Sequence, residues 1–228
     1  MTRTHGMRYP GESAQYRQLR DKLLQAELEL NAQVQAVAAL LRQLPLGGEA
    51  KDYVFEEAGD GGAARKVRLT ELFASGQDAL LLYSYMYGPR MKSPCPMCTS
   101  FLDGLAGSAQ HIRQRASLAV AAGSPIARIL DVARQRGWRN LRLLSSAGSS
   151  YNADYHGEDK DGDQQPMMNV FVRRGGKIHH FYGSEALFVP EPDHEPCHLN
   201  LMWPLWNVLD LTPEGRGEDW HPSLSYGK

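Results

Sequence analysis

A pair of cysteines between a strand-like and a helix-like segment constrains this sequence more than any other feature. Residues 79–85 are nearly all apolar, which is typical of a central β-strand covered on both faces. The strand is predicted to end at Gly88-Pro89, and Cys95-Pro96-Met97-Cys98 follows shortly afterwards. Apolar residues then recur at helical spacing as far as about residue 115. The sequence therefore predicts that the cysteine pair lies between a central strand and the first turn of a helix.

The chemistry of the two thiols depends on the position that each takes at this helix start. Pro96 fits the first turn, where its missing N–H would have no hydrogen-bond partner, so Cys95 is predicted at the N-cap. Its sulfur would then lie over free backbone amides. Cys98 would follow one turn later on the same face of the helix, within disulfide reach of Cys95.

A nucleophilic cysteine must be ionised, because the thiolate attacks a disulfide and the thiol does not. A thiol with the ordinary pKa of about 8.5 is only a few per cent ionised at pH 7. A helix N-terminus stabilises an anion by about 0.3 to 2 kcal/mol, and the side chains of Arg90 and Lys92 could add to this. We predict a thiol–disulfide oxidoreductase in which Cys95 is the nucleophile and Cys98 resolves the mixed disulfide, with no cofactor and no bound metal.

Two other interpretations of the cysteine pair stay open. Cys95 and Cys98 could supply half of a metal site, which would need further ligands such as Cys197, His194 or His198. Alternatively, the thiols could pack inertly in a dimeric interaction module that keeps the fold without redox chemistry.

A long segment without Pro or Gly precedes this region. Between Ser13 and Leu44, apolar residues recur three and four positions apart, which predicts an amphipathic helix capped by Ser13 and stopped by Pro45. At about 1.5 Å per residue it would be roughly 45 Å long, which exceeds the diameter of a small domain. The helix therefore either lies across its own core or packs against a second copy of the protein. We expect residues 1–48 to form this candidate dimerisation element and residues 49–228 to form one α/β domain.

The rest of the sequence alternates between strand-like and helix-like segments, which predicts an α/β fold with a central mixed sheet flanked by helices. A polar loop is expected over residues 151–163. A buried helix is expected over residues 200–211, with Pro204 in its first turn or at a kink, and with Trp203 and Trp206 in the core. Two hairpins are expected over residues 53–69 and 168–181, further strands over 117–122 and 141–144, and a helix from Ser124-Pro125 to Gly137.

Composition and charge exclude several classes of protein. The 25 Lys and Arg residues balance 26 Asp and Glu residues, so the sequence lacks the cationic excess expected of a protein that binds nucleic acid. No stretch reaches the roughly 18 consecutive apolar residues of a membrane-spanning helix, and the polar N-terminus contains no signal-peptide core. We therefore expect a soluble, cytoplasmic protein with neither nucleic acid nor membrane as a partner. Three cysteines are too few for a disulfide scaffold.

Three blocks of sequence carry a resemblance to a known family. They are Lys-Asp-Tyr-Val-Phe at residues 51–55, Ser-Pro-Cys-Pro-Met-Cys at residues 93–98 and Pro-Leu-Trp-Asn-Val-Leu-Asp at residues 204–210. Together with the long helix and the order of segments, they make the chain resemble a bacterial family of thioredoxin-like proteins. That family is catalogued as a domain of unknown function and described as predicted dithiol-disulfide oxidoreductases. The resemblance covers most of the chain and implies a thioredoxin-like fold in its peroxiredoxin-like, N-terminally extended form.

The resemblance also implies which residues act. The two cysteines would be the redox pair, and Pro166, directly before the second hairpin, would be the counterpart of the thioredoxin-fold proline that adopts a cis bond beside the dithiol. A cis bond exposes backbone groups that can pair with an extended substrate. Pro94, Pro96 and Met97 are expected to contact the substrate together with Pro166. The substrate would be a disulfide-containing protein or a small thiol compound.

The sequence departs from two branches of the thioredoxin superfamily. Thioredoxins proper have Trp before the first cysteine and Gly-Pro between the two, whereas here Pro94 precedes and Pro96-Met97 intervenes. Peroxiredoxins place two residues between a Ser or Thr and the peroxidatic cysteine, whereas only Pro94 separates Ser93 from Cys95. Direct reduction of peroxides is therefore not predicted, and the direction of electron flow stays open.

Two polar clusters look functional but are predicted to be structural. His179 and His180 fall on a predicted strand and would point to opposite faces, so at most one could reach a given site. Residues 159–163 suggest a calcium loop, but the Gly and Glu that such a loop needs are missing, which indicates a solvated turn.

Overall fold

The computed structural model describes residues 6–59, 63–189, 201–212 and 221–225, without the side chain of Trp206. The chain divides into two compact units, Met1–Pro45 and Leu46–Lys228.

The first unit contains one long helix, α1 (Ala14–Leu41). Ser13 caps it, because its hydroxyl oxygen accepts a hydrogen bond of 3.1 Å from the backbone N–H of Tyr16. The predicted helix is confirmed, but it ends three residues before Leu44. The residues after Leu41 form tighter turns, in which the N–H of Leu44 donates to the carbonyl of Leu41. Pro45 causes this change, because a proline disfavours helical geometry at the residue before it. None of the α1 side chains is buried.

The second unit is built on a seven-stranded sheet. Its strands are β1 (Val54–Ala58), β2 (Ala64–Arg68), β3 (Ala79–Tyr85), β4 (Ser117–Ala122), β5 (Arg142–Ser145), β6 (Met167–Arg174) and β7 (Lys177–Gly183). Their order across the sheet is β2-β1-β5-β4-β3-β6-β7. The three central strands β3, β4 and β5 are parallel, and an antiparallel hairpin extends the sheet on each side. The predicted central mixed sheet is therefore confirmed.

Helices connect the parallel strands, since parallel neighbours need a crossover. Helix α2 (Pro96–Ile112) joins β3 to β4, and α3 (Ile126–Arg136) joins β4 to β5. As predicted, α3 ends at Gly137, which adopts the left-handed conformation with φ of 73°.

Strand β3 contributes to a core on each face of the sheet. Tyr83 and Tyr85 lie in the core that contains α2 and α3. Leu80 and Leu82 lie in the opposite core, together with Phe55 and the rest of the first hairpin. The near-continuous apolar composition of β3 follows from this burial on both faces.

Two sequence predictions in this unit are corrected by the structure. The segment predicted as a polar loop contains a short helix, α4 (Tyr151–Asp154), because Tyr151 is fully buried and packs edge-on against Phe55 at 5.2 Å. The buried helix predicted over residues 200–211 is a short helix, α5 (Pro204–Leu209), with Pro204 in its first turn.

The burial predicted for this last segment is also only partly right. Leu201 and Val208 are 59% exposed, so they do not join the core. Trp203, directly before α5, is buried as predicted and packs on Phe101 of α2 at 6.0 Å. Only one side of the segment therefore packs against the domain.

Candidate active site

The backbone of Cys95 is held at three points where β3 gives way to α2. Cys95 is the N-cap residue of α2 and Pro96 occupies the first turn, as predicted, but the Cys95 side chain makes no capping hydrogen bond to the amides of that turn. The Cys95 N–H donates to the carbonyl of Met86 at 3.0 Å, which closes the loop after β3. The Cys95 carbonyl accepts bonds from the backbone N–H of Thr99 at 3.0 Å and from its hydroxyl at 2.8 Å.

A buried tyrosine supports this arrangement. The single hydrogen of the Thr99 hydroxyl is used in the hydrogen bond to the Cys95 backbone carbonyl. The Tyr85 hydroxyl is therefore the donor in its own 2.7 Å hydrogen bond to Thr99 Oγ1. Tyr85 lies on β3, so this chain of bonds fixes the N-cap of α2 to the central strand.

The two thiols differ in burial and in proton affinity. Neither forms a disulfide; Cys95 is half-buried and Cys98 is buried. The hydrogen bond to Cys95 and, second, burial raise the pKa of Cys98 well above its ordinary value. Cys98 therefore keeps its proton and donates it in a hydrogen bond to the Cys95 sulfur, which favours a negative charge on Cys95.

Tyr83 is a member of the site that sequence reasoning missed. Its hydroxyl hydrogen-bonds the Cys98 sulfur, and so does the backbone N–H of Met86. Burial, followed by the negative charge that Cys98 can carry, raises the pKa of Tyr83 well above its ordinary value, so Tyr83 remains a donor. A signal was present in the sequence, because alternate residues of a strand share a face and two tyrosines alternate at the end of the strand that leads to the cysteines.

An apolar cavity of about 260 Å³ lies beside the dithiol. It is lined by Tyr83, Met86, Cys95, Met97, Cys98, Phe101, Pro166, Met168, Leu187, Met202 and Trp203. These residues come from β3 and the loop after it, from α2, from β6 and the residue before it, and from the segments after β7 and before α5. The cavity is therefore formed by parts of the chain that are far apart in sequence.

Of the four residues predicted to contact substrate, two line the cavity and two do not. Met97 and Pro166 line the cavity beside the two cysteines. Pro94 is buried and Pro96 is exposed, and neither lines the cavity. Pro94 lies in a separate depression that also includes Lys92.

The cis bond implied for Pro166 is not present. Every peptide bond among the described residues is trans, including the one between Gln165 and Pro166. Trans is the lower-energy form of a bond to proline by about 0.5 to 1 kcal/mol, so a cis bond needs tertiary contacts that enforce it. The expectation that a cis peptide exposes backbone groups to the substrate is therefore wrong, although Pro166 does lie beside the dithiol.

The charged and imidazole side chains singled out in the sequence lie elsewhere. Arg90 binds the carboxylate of Asp163 at 2.8 Å and the carbonyl of Asp161 at 3.1 Å. His179 contacts the Gly47 carbonyl, and His180 packs between aromatic rings and does not line the cavity.

The alternative metal site cannot be built from the described residues. Cys197, His194 and His198 lie outside them. Within residues 6–59, 63–189, 201–212 and 221–225, no three His, Cys, Asp or Glu side chains cluster as metal ligands would.

No helix in this part of the chain is both long and apolar enough to cross a membrane.

The fold and the site together define a class of protein. A dithiol at the N-terminus of the helix that follows a central parallel strand, with an antiparallel hairpin on the other side of that strand, is the thioredoxin-like architecture. The extra hairpin of β1 and β2 makes it the peroxiredoxin-like extended form, as predicted.

The chain belongs to a bacterial family described as "Bacterial protein of unknown function (DUF899)", whose model matches residues 7–226. The resemblance stated from the sequence is thereby confirmed. No curated protein matches the chain significantly.

Solved structures with a similar fold include several peroxiredoxins. The mitochondrial 2-Cys peroxiredoxin of Plasmodium falciparum is 10% identical, with a TM-score of 0.49 over 73% of this chain and 95% of its own. Reduced Prx3 of Vibrio vulnificus in complex with H2O2 is 12% identical, with a TM-score of 0.45 over 69% of this chain and 100% of its own. The peroxidoxin BcpB of Mycobacterium tuberculosis is 20% identical, with a TM-score of 0.42 over 60% of this chain and 83% of its own. Similarities this distant do not assign an activity to the chain.

Proposed function

We propose that this protein is a thiol–disulfide oxidoreductase in which Cys95 is the nucleophile and Cys98 the resolving thiol. One observation carries the proposal: the half-buried Cys95 occupies the N-cap of α2 and receives a hydrogen bond from the buried, protonated Cys98. The helix N-terminus and this hydrogen bond both favour the anion that attacks a disulfide.

The reaction proceeds in two exchanges. The Cys95 thiolate attacks one sulfur of a substrate disulfide, forms a mixed disulfide and releases the other half as a thiolate, which takes a proton from water. Cys98 then gives up its proton and attacks the Cys95 sulfur, which forms the Cys95–Cys98 disulfide; the second half of the substrate takes up that proton and leaves as a thiol. Two electrons pass from the dithiol to the substrate, and the reverse sequence oxidises a substrate dithiol.

One side chain and one backbone amide support the second exchange. The phenol of Tyr83 and the backbone N–H of Met86 both donate to the Cys98 sulfur, so they stabilise the Cys98 thiolate when it forms. A thiolate must form inside a buried site, and these two donors replace the water that burial removes. We place the reaction in the cytoplasm, because a reducing compartment keeps both thiols ready to react.

The proposal is tested by trapping. In the Cys98→Ser variant the second exchange is blocked, so disulfide-linked partners should accumulate on Cys95 and be released by a reductant. The Cys95→Ser variant is the matched control and should capture none. Capture by Cys95→Ser at the same level, or no capture by Cys98→Ser from a lysate or from a model disulfide, would show that Cys95 is not the nucleophile.

We also propose that α1 pairs with α1 of a second copy. Its apolar residues repeat three and four positions apart over about 40 Å of helix, which is the pattern by which two identical helices pack along a seam. Leu19, Leu23, Leu30 and Val37 on this seam are more than half exposed. An identical helix supplies a matching apolar seam of the same length.

A further inference from the structure

Among the residues that the structure describes, the Cys95 thiolate is the one charged group that lines the cavity beside the dithiol. Apart from the two cysteines and the Tyr83 phenol, the lining residues are apolar: four methionines, Phe101, Trp203, Leu187 and Pro166. A carboxylate group that entered the cavity would lose its water, gain no cationic partner among the described lining residues and lie beside the Cys95 thiolate, which disfavours anionic ligands.

Two arginines of this domain, Arg90 and Arg128, have contacts outside the cavity. Arg90 binds Asp163, and Arg128 donates to the carbonyl of Met91 at 2.6 Å and lies over the Tyr87 ring at 4.5 Å. Neither arginine lines the cavity. A substrate with charged groups next to its disulfide, such as a glutathione-type peptide, finds no recognised partner for those groups among the cavity walls.

The walls suit a small apolar group of variable shape. Met86, Met97, Met168 and Met202 supply flexible, polarizable thioethers that adapt to different ligands. A cavity of about 260 Å³ lies just below the range of about 300 to 1,000 Å³ that holds drug-sized ligands. It therefore fits a substituent of a few carbon atoms attached to a sulfur.

We propose that this cavity binds the apolar substituent of a small organic disulfide and presents the attached sulfur to Cys95. The inference rests on the proposed function of the dithiol and adds the class of substrate. In the reaction, the Cys95 thiolate attacks the sulfur that carries the apolar group, and the other sulfur leaves as a thiolate. Cys98 then forms the internal disulfide and releases the apolar thiol, so the dithiol is oxidised and the substrate disulfide is reduced to two thiols.

Two probes of similar length test this on the reduced full-length protein. Both are 2-pyridyl disulfides; one carries an n-butyl group and the other a 2-carboxyethyl group, and release of thiopyridone reports the attack. Each rate is divided by the rate of the same probe with a small free thiol, which removes the difference in chemical reactivity. We expect the butyl probe to react on the order of ten-fold faster, because an unpaired carboxylate is disfavoured in the cavity.

Variants at the cavity mouth and next to it supply the matched comparison. Met202 lines the cavity and is 39% exposed, whereas its neighbour Leu201 is 59% exposed and does not line it. Met202→Lys should lower the preference for the butyl probe or invert it, since a cation now faces the carboxylate. Leu201→Lys adds the same charge outside the cavity and should leave the preference unchanged.

The outcomes separate this inference from the function on which it rests. If both probes oxidise the dithiol to the Cys95–Cys98 disulfide at equal corrected rates, or if Met202→Lys has no effect on the preference, the cavity does not select the substrate. If neither probe yields the internal disulfide, the oxidoreductase function itself is wrong.

Discussion

The roles that we propose for the two cysteines differ because their surroundings differ, although both lie on one turn of helix. Cys95 is half-buried at the N-cap, with its backbone fixed by Met86 and Thr99. Cys98 is buried and keeps its proton, which it shares with Cys95. The order of attack follows from this difference in charge and access.

The first prediction concerns the pH dependence of alkylation. Because the hydrogen bond to Cys95 and burial raise the pKa of Cys98, iodoacetamide should modify Cys95 at a lower pH than Cys98. Peptide mapping by mass spectrometry after short exposures across pH 5 to 10 measures both thiols in the same unmodified protein. Modification of Cys98 first, or of both thiols with one midpoint, would contradict the assigned roles.

A second prediction isolates Tyr83. The Tyr83→Phe variant keeps the ring but loses the donor to Cys98, so the Cys98 thiolate should form only at higher pH. Resolution of a preformed mixed disulfide on Cys95 should slow by on the order of ten-fold, since a hydrogen bond to a charged group is lost. Stopped-flow release of the bound thiol across pH measures this, and Tyr87→Phe, also buried on the same side of the sheet, is the control. An unchanged pH profile would mean that Tyr83 only fills space.

A glycine in the connection to the domain has a structural role that its sequence context did not reveal. The backbone N–H of Gly47 donates to the carbonyl of His180 on β7 at 3.0 Å. A Cβ atom at Gly47 would lie 2.5 Å from that carbonyl oxygen, so no other residue fits without a backbone shift. Gly47 therefore allows the backbone to approach β7 closely, a role beyond its place after the helix-stopping Pro45.

Among the secondary-structure elements, the segment before β1 is attached to α4. Asp154 of α4 accepts hydrogen bonds from Lys51 at 2.9 Å and from the Tyr53 hydroxyl at 2.7 Å. Asp52 accepts a bond from the backbone N–H of Thr70 at 3.0 Å. The block at residues 51–55, which carried part of the family resemblance, therefore connects elements of the domain rather than contributing to the dithiol site.

The third prediction follows from the charge on Asp154. Its bonds to Lys51 and Tyr53 lower its pKa from 3.8 to about 2. Since the folded-state pKa is depressed, the stabilisation is present above about pH 4 and is lost as the pH falls towards 2. Asp154→Asn should lower the free energy of unfolding at pH 7 by about 1 kcal/mol or less, because the pair is screened by solvent.

Denaturant unfolding at pH 7 and pH 3 measures this effect. The difference in the free energy of unfolding between the wild type and Asp154→Asn should be smaller at pH 3 than at pH 7. Asp131→Asn is the control, since Asp131 forms an exposed pair with Arg134 on a single helix. A gap that stays constant with pH would show that the amide variant acts through packing and not through charge.

Helices α2 and α3 are joined by one carboxylate. Asp103 of α2 accepts a hydrogen bond of 2.8 Å from the Trp138 indole and pairs with Arg136 at the end of α3. On the other side of α2, Trp203 packs on Phe101 and lines the cavity. The helix that presents the dithiol is thus fixed to its neighbour on one side and forms a wall of the cavity on the other.

For the whole molecule, the fourth prediction concerns oligomeric state. Wild-type protein should sediment as a dimer in analytical ultracentrifugation, and a variant with Leu23→Asp and Leu30→Asp should sediment as a monomer. The control carries Gln18→Asp and Gln35→Asp, which add the same charge on the polar side of α1 and should leave the dimer intact. A monomeric wild type, or a leucine variant that remains dimeric with unchanged near-UV circular dichroism, would rule out pairing through α1.

The sequence was sufficient to predict the seven strands, the three longer helices and the place of the dithiol among them, but it missed α4 and made α5 too long. Apolar periodicity, N-cap residues and the positions of Pro and Gly act within a few neighbours of each residue, so they predict where strands and helices lie. The position of Cys95 at the N-cap follows from Pro96 alone. The same local rules predicted the end of α3 at Gly137, which the structure confirms.

Only the tertiary structure decided what surrounds the thiols. The Tyr83 hydroxyl reaches Cys98, and Met86, Met168 and Met202 meet at one cavity, because separate strands and a terminal segment converge there. It also decided against a cis bond at Pro166. The cavity and the Tyr83–Cys98 contact depend on residues of different elements. A local pattern can show that Tyr83 and Tyr85 share one face of a strand, but it does not encode what lies opposite that face, because a strand or helix can form in the same way whatever packs against it.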